Sequence, residues 1–148
     1  MKLEVKQSND VQEIEVLVQY RQETDELNQI ISTLETLNHT IIGIRDNKSY
    51  PLNPQDIYYF ESVDDRVYAY TDSDTFEVKF KLYELENLLS HASFARVSIS
   101  VILNTRMILH FKSSLNGKME ARLKNDEMIS ISRNYVSQLK QTLGGQSK

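Results

Sequence analysis

Beyond residue 40, apolar side chains recur at alternate positions in short runs, and pairs of turn-forming residues break those runs. Ile41, Ile42 and Ile44 lead into Asp46-Asn47, and Ile57–Val63 leads into Asp64-Asp65. Val67 to Tyr70 returns before Asp72-Ser73-Asp74, and Phe76, Val78 and Phe80 alternate again. A period of two places apolar groups on one face of a strand, and short polar side chains supply the turns. Further short strands are expected at Phe94–Val97, Val101–Leu103, Met107–Phe111, Met119–Leu123 and Met128–Ile131, with turns at Asn116-Gly117 and Asn125-Asp126. Pro51 and Pro54 restrict the stretch before Ile57, and Pro54 biases Asn53 away from helix. Helical spacing is confined here to Leu82, Leu85, Leu88 and Leu89, and to Tyr135, Val136, Leu139 and Leu143. A chain patterned in this way is mainly β, α+β by content.

The first forty residues read differently. Ile14, Val16, Val18 and Tyr20 alternate with Glu13, Glu15, Leu17 and Gln19, and apart from Leu17 this is the period of a half-buried strand. Thr24 can cap a helix whose first turn holds Asp25 and Glu26, where the helix dipole favours acid. Leu27, Ile30, Ile31, Leu34 and Leu37 then form one apolar stripe. A strand–helix unit of this size cannot build its own core. It must dock on the rest of its chain or on a second copy, and intrachain burial is the default for such a stripe. The expected organisation is an extension over residues 1–40, a domain over 41–143 and a flexible tail over 144–148.

Composition narrows the function. Among 148 residues, 40% are hydrophobic and 26% charged, which is enough for a packed core. There is no cysteine, so disulfides, thiolate metal sites and a cysteine nucleophile are excluded. The four glycines, at 43, 117, 144 and 145, form no phosphate-binding loop. His39, His91 and His110 make no metal-ligand pair, and the aspartate clusters lack the spacing of a calcium loop. His110, within a strand pattern, reads as a surface or hydrogen-bonded side chain, and His39 and His91 flank helix ends. Neither a nucleophile elbow nor any other catalytic constellation is present. The expectation is a non-enzyme with no metal, no cofactor and no small-molecule substrate. The apolar runs are too short to cross a bilayer, and Met1-Lys2-Leu3-Glu4-Val5-Lys6 opens no signal peptide, so a cytoplasmic protein is expected.

The net charge of −4 is unevenly distributed. Residues 1–48 carry five basic and nine acidic side chains, and residues 49–90 carry three and nine. Residues 91–148 reverse this with nine basic and three acidic. A polyanion would be drawn to the last third. Within that third, Ser98 and Ser100 bracket Ile99 between two short strands, and Ser132-Arg133-Asn134 stands where a strand hands over to the last helix. Helix N-termini attract anions, and arginine can read guanine bidentately. An ordinary serine cap followed by an exposed arginine accounts for the same pattern.

Several segments together resemble the LytTR family of bacterial DNA-binding domains over about Ser49 to Leu143. These are Asp56-Ile57-Tyr58-Tyr59-Phe60-Glu61-Ser62, Phe80-Lys81-Leu82-Tyr83-Glu84-Leu85-Glu86 and Phe94-Ala95-Arg96-Val97-Ser98-Ile99-Ser100-Val101-Ile102-Leu103-Asn104. Leu115-Asn116-Gly117-Lys118 and Ile129-Ser130-Ile131-Ser132-Arg133-Asn134-Tyr135-Val136 complete the order. The resemblance implies an elongated domain of small antiparallel sheets with one or two helices, here preceded by the strand–helix extension. It implies no helix-turn-helix. Loops between strands would enter successive major grooves of double-stranded DNA, bend it, and recognise short direct repeats in promoters.

By position, the resemblance assigns base contacts to Arg133, Ser98, Ile99 and Arg66, and phosphate contacts to Ser100, Asn134, Tyr135 and Lys118. Ile99 stands where the family usually carries a basic or amide side chain, and can touch a thymine methyl. About forty residues precede the domain, too few for a receiver, which resembles the stand-alone branch of transcriptional regulators. Members of that branch are often paired with a restraining membrane protein. The stripe Leu27, Ile30, Ile31, Leu34 and Leu37 would then serve as core, as a dimer contact or as that partner's docking face. The alternative function is a protein-interaction module on the same scaffold, with weakened DNA binding.

Overall fold

Strand pairing begins immediately after the extension. The computed structural model describes residues 1–38, 40–90 and 92–144, apart from the side chains of 32 and 35–38. His39, His91, the tail from Gly145 to Lys148 and the side chain of Leu37 lie outside the described residues. Helix α1 spans Asp25–Asn38, where Thr24 accepts from the Leu27 amide through Oγ1 at 3.1 Å. The strands are β1 (Ile41–Arg45), β2 (Lys48–Leu52), β3 (Tyr59–Val63), β4 (Arg66–Tyr70) and β5 (Thr75–Val78). Helix α2 (Leu82–Leu88) precedes β6 (Phe94–Arg96), β7 (Val101–Asn104), β8 (Ile108–Ser113), β9 (Met119–Leu123) and β10 (Met128–Ile131). Helix α3 (Arg133–Gly144) closes the described chain and takes in Gly144, expected as the start of the tail.

All pairings are antiparallel. A seven-stranded sheet runs β2-β1-β5-β4-β3-β7-β6, and a three-stranded sheet runs β10-β9-β8. The hairpins turn on residues with positive φ: Asp46 and Asn47, Asp64 and Asp65, Asn116 and Gly117, and Asp126. Asp and Asn tolerate that region better than other non-glycine residues, which is why these turns were readable locally.

Alternation along the strands divides the large sheet into two apolar faces. Phe60, Val67, Ala69, Phe76, Val78, Phe94 and Ile102 face α2, whose Leu82 and Leu85 close one core with Leu89 beside them. Tyr59, Val97 and Leu103 point the other way, against Met119, Ala121, Leu123, Ile131 and Leu139. The three-stranded sheet and α3 thus cover the opposite face from α2. Burying a leucine of this kind contributes about 1.5–3 kcal/mol. One polar group lies deep among the described residues. The Asn104 side chain donates to Ile57 O at 2.9 Å and accepts from the Ser93 hydroxyl at 2.8 Å, so its burial is compensated. Tyr59 stacks on Tyr70 with centroids 4.5 Å apart and donates its hydroxyl to Glu127 at 2.9 Å, tying the two sheets together.

One local expectation is corrected, and one strand carries no sequence expectation. Ile14 to Tyr20 form no strand; among the described residues that stretch is unpaired, and Ile14 is 93% exposed. Alternation makes a strand competent, but pairing needs an edge in reach. The extension therefore supplies a helix and an extended lead, with Leu27 buried and Ile30, Ile31 and Leu34 half-buried. Conversely, Lys48–Leu52 is a strand although it contains Pro51. It lies at the edge of its sheet, where a missing amide donor is tolerated.

Candidate nucleic-acid interface

The loop from Val97 to Val101 is closed by a 3.0 Å hydrogen bond from the Val97 amide to the Val101 carbonyl. Inside it, the Ser100 amide donates to Ser98 Oγ at 3.2 Å. Arg96 holds the loop from below. Its Nε donates to Ser98 O at 2.9 Å, one terminal nitrogen reaches Ile99 O, and the other pairs with Glu86 of α2 at 2.8 Å. Its side chain is only 18% exposed, so it acts on the loop and not on the surface. Fixed in this way, Ile99 stands 81% exposed at the tip.

Two backbone bonds fasten neighbouring loops to this one. The Ser62 amide donates to Ser100 O at 2.8 Å, which joins the loop to the strand leading into the Asp64-Asp65 hairpin. The Ser132 amide donates to Val97 O at 2.9 Å, which joins it to the start of α3. Ser132 O accepts from the Tyr135 amide at 2.9 Å, whereas the Ser132 hydroxyl makes no capping bond among the described residues.

A third loop meets the same helix end. A Cβ added at Gly117 would lie 2.9 Å from Arg133 Cδ and 3.0 Å from Cγ. The arginine stem therefore rests on the bare backbone of Gly117, whose φ of +76° also favours glycine. Lys118 follows directly and is exposed, as are Arg133 and Asn134, with Tyr135 half-buried. The structure thus links Ser98, Ile99, Ser100, Lys118, Arg133, Asn134 and Tyr135 through adjacent loops, and does not scatter them.

Arg66 lies next along the same end of the large sheet, opposite Val63 across the hairpin. Its electrostatic setting differs. Asp64 and Asp65 precede it, and its guanidinium stands 3.8 Å from a Glu77 oxygen. Arg133 and Lys118 form no ion pair among the described residues. Of the three candidate contact cations, the two outside any ion pair among the described residues therefore stand on the Gly117–Arg133 side. Arg96 is a loop-holding residue that sequence reading did not single out. Its signal was an arginine two residues before the loop, but the meaning depended on Glu86, ten residues earlier.

No cluster of three or more metal-ligating side chains occurs among the described residues, and no described helix is long and apolar enough to cross a membrane. Helices α2 and α3 are separated by five strands, so no helix-turn-helix unit exists among the described residues.

Comparisons with known proteins converge. The family model described as LytTr DNA-binding domain matches residues 47–144. Two proteins named uncharacterized HTH-type transcriptional regulators, from Staphylococcus aureus strains NCTC 8325 / PS 47 and COL, are each 31% identical over 121 residues. Each alignment covers 80% of this chain and 82% of the relative. A solved LytTr DNA-binding domain from Bacillus cereus superposes with a TM-score of 0.67 at 25% identity, covering 71% of this chain and 96% of that one.

Proposed function

This chain belongs to the LytTr DNA-binding domain family, and on that premise we propose that it is a transcription regulator reading short direct repeats in promoter DNA through its inter-strand loops. In this reading Arg133 and the Ser98–Ile99 tip contact bases, with Arg66 a weaker reader beside its aspartates. Ser100, Lys118, Asn134 and Tyr135 contact phosphate, which sets register without specifying sequence. The observation that carries the reading is the joining of three loops at one helix end, by the Val97–Ser132 bond and the Gly117–Arg133 contact. Unpaired cations on adjacent tips suit a curved phosphate backbone.

The finer features follow the same premise. Residues 41–143 act as the DNA-binding unit in the cytoplasm, and residues 1–40 as its docking or dimerisation extension. Copies act in pairs on repeated half-sites. The half-exposed side of Ile30, Ile31 and Leu34 is the face that a restraining membrane protein would meet.

A mobility-shift titration on DNA upstream of its own coding region tests the proposal. Log affinity should fall linearly with log salt, with a slope set by the phosphates neutralised. A folded protein that binds no fragment at low salt would sink the DNA reading and leave the interaction module in its place.

A further inference from the structure

Two unsatisfied features of this molecule fit each other. The first is the lead before α1. Ile14, Val16, Val18 and Tyr20 form one alternating apolar row, with Glu13, Glu15, Leu17 and Gln19 on the opposite side, yet the stretch pairs with nothing among the described residues. The second is the outer edge of β8. Among the described residues β8 pairs only with β9, and it is the longest strand, with neither proline nor glycine. The other free edges are blunted: β2 carries Pro51, β6 has three residues, and β10 runs within two residues into α3. An open edge is a template for another strand; β8 carries Lys112 and an irregularity between Ile108 and His110, so its regular part runs from His110 to Ser113.

The side chains of β8 divide by face. Phe111 and Ser113 stand opposite Ala121 and Met119, which belong to the buried core, so Phe111 points inward at the rim and remains 43% exposed. His110 and Lys112 stand opposite Arg122 and Glu120 on the outward side. A strand laid along β8 with Ile14, Val16, Val18 and Tyr20 inward would extend the core over Phe111. Its Glu13 and Glu15 would then fall on the outward side with His110 and Lys112. The charges are complementary beyond the contact. Residues 10–26 hold six acidic side chains and one basic, whereas residues 106–124, which include β8, hold five basic and one acidic, with Lys112 3.9 Å from Glu120 and Arg122 4.0 Å from Asp126.

We propose that residues 13–20 of one copy add as a strand to the open edge of β8 in a second copy, giving a reciprocal dimer. Main-chain bonds would supply the affinity and the alternating side chains the register. Because each copy gives a strand and receives one, the interface closes as a two-fold pair. The proposal names the surface by which copies pair and does not depend on the DNA contacts.

The chain contains no cysteine, so single introduced thiols report cleanly. Light scattering of the full chain should give twice 17.2 kDa, and Val16→Pro should return it to 17.2 kDa with unchanged circular dichroism. Val16 lies outside every helix and strand, so its replacement leaves the domain folded. One tagged copy carrying only Glu15→Cys, mixed with an untagged copy carrying only Lys112→Cys or His110→Cys, should form a mixed disulfide under mild oxidation. A wild-type chain that stays at 17.2 kDa to its solubility limit overturns the proposal. So does a dimer that survives Val16→Pro, or a mixture in which tagged and untagged copies form no mixed disulfide. Binding to a single DNA half-site reads the other proposal separately, and Val16→Pro should leave it unchanged.

Discussion

The two faces of the seven-stranded sheet use similar apolar chemistry for different ends. The face under α2 is built almost wholly from residues 41–102, and the opposite face takes its cover from residues 119–139. The first lies in the acidic part of the chain, where Arg45 is bound to Asp74 and Arg66 lies near Glu77. The second carries the basic third, and its loops leave Arg133 and Lys118 without an ion pair among the described residues. One core thus stabilises a scaffold, while the other also fixes where the free cations stand. The charge blocks of the sequence become two sides of one molecule.

Matched truncations should separate these roles. Leu85→Ala and Leu139→Ala each remove a fully buried leucine, one from each core, and each should cost about 2–5 kcal/mol by chemical denaturation. Only Leu139→Ala should weaken DNA binding beyond the loss of folded protein, because α3 holds Arg133. Equal binding losses from the two variants would erase the distinction. Arg133→Ala should leave stability unchanged and weaken DNA binding by about 1–3 kcal/mol, roughly 5- to 150-fold. If it binds as wild type does, the base-reading assignment to Arg133 fails even though the fold stands.

Gly117→Ala should lower stability by about 1 kcal/mol, since it forces a side chain into positive φ against the Arg133 stem. It should also weaken DNA binding, as the displaced arginine loses its seat. The smallest effect is a pH dependence on the second face. Burial, then the hydrogen bond to Glu127, raises Tyr59, and burial with Glu61 pushes Tyr70 up to about 12. The folded state therefore keeps protons that the unfolded chain releases near the ordinary tyrosine value of about 10. Stability from these groups is fully present below that pH and is lost as pH rises through the folded values. Denaturation of Tyr70→Phe across that range should show a shallower decline than wild type.

The sequence made the hairpins legible because their determinants are local. Asp64-Asp65 and Asn116-Gly117 tolerate positive φ wherever they occur, and the runs beside them alternate. It misled where pairing was the deciding term. Ile14–Tyr20 has a strand's alternation, broken only by Leu17, and no pairing partner among the described residues, whereas Lys48–Leu52 carries a proline that its edge position tolerates. Ser98, Ile99, Ser100 and Arg133 could be picked out as loop residues by pattern and resemblance. Arg96 could not be given its work, since that work is a clamp spanning Glu86 and two carbonyls of the following loop.

By itself, then, the order of residues determined the β texture, the turns, the family and the concentration of positive charge in the last third. Only the tertiary structure decided that the loops near residues 62, 98, 117 and 133 adjoin one another. Turn preference and alternation act over two to four residues, and sequence displays them directly. Adjacency between loops separated by tens of residues comes from the packing of two cores on opposite faces of one sheet. That packing depends on which long-range pairings win together, a competition that no local stretch records.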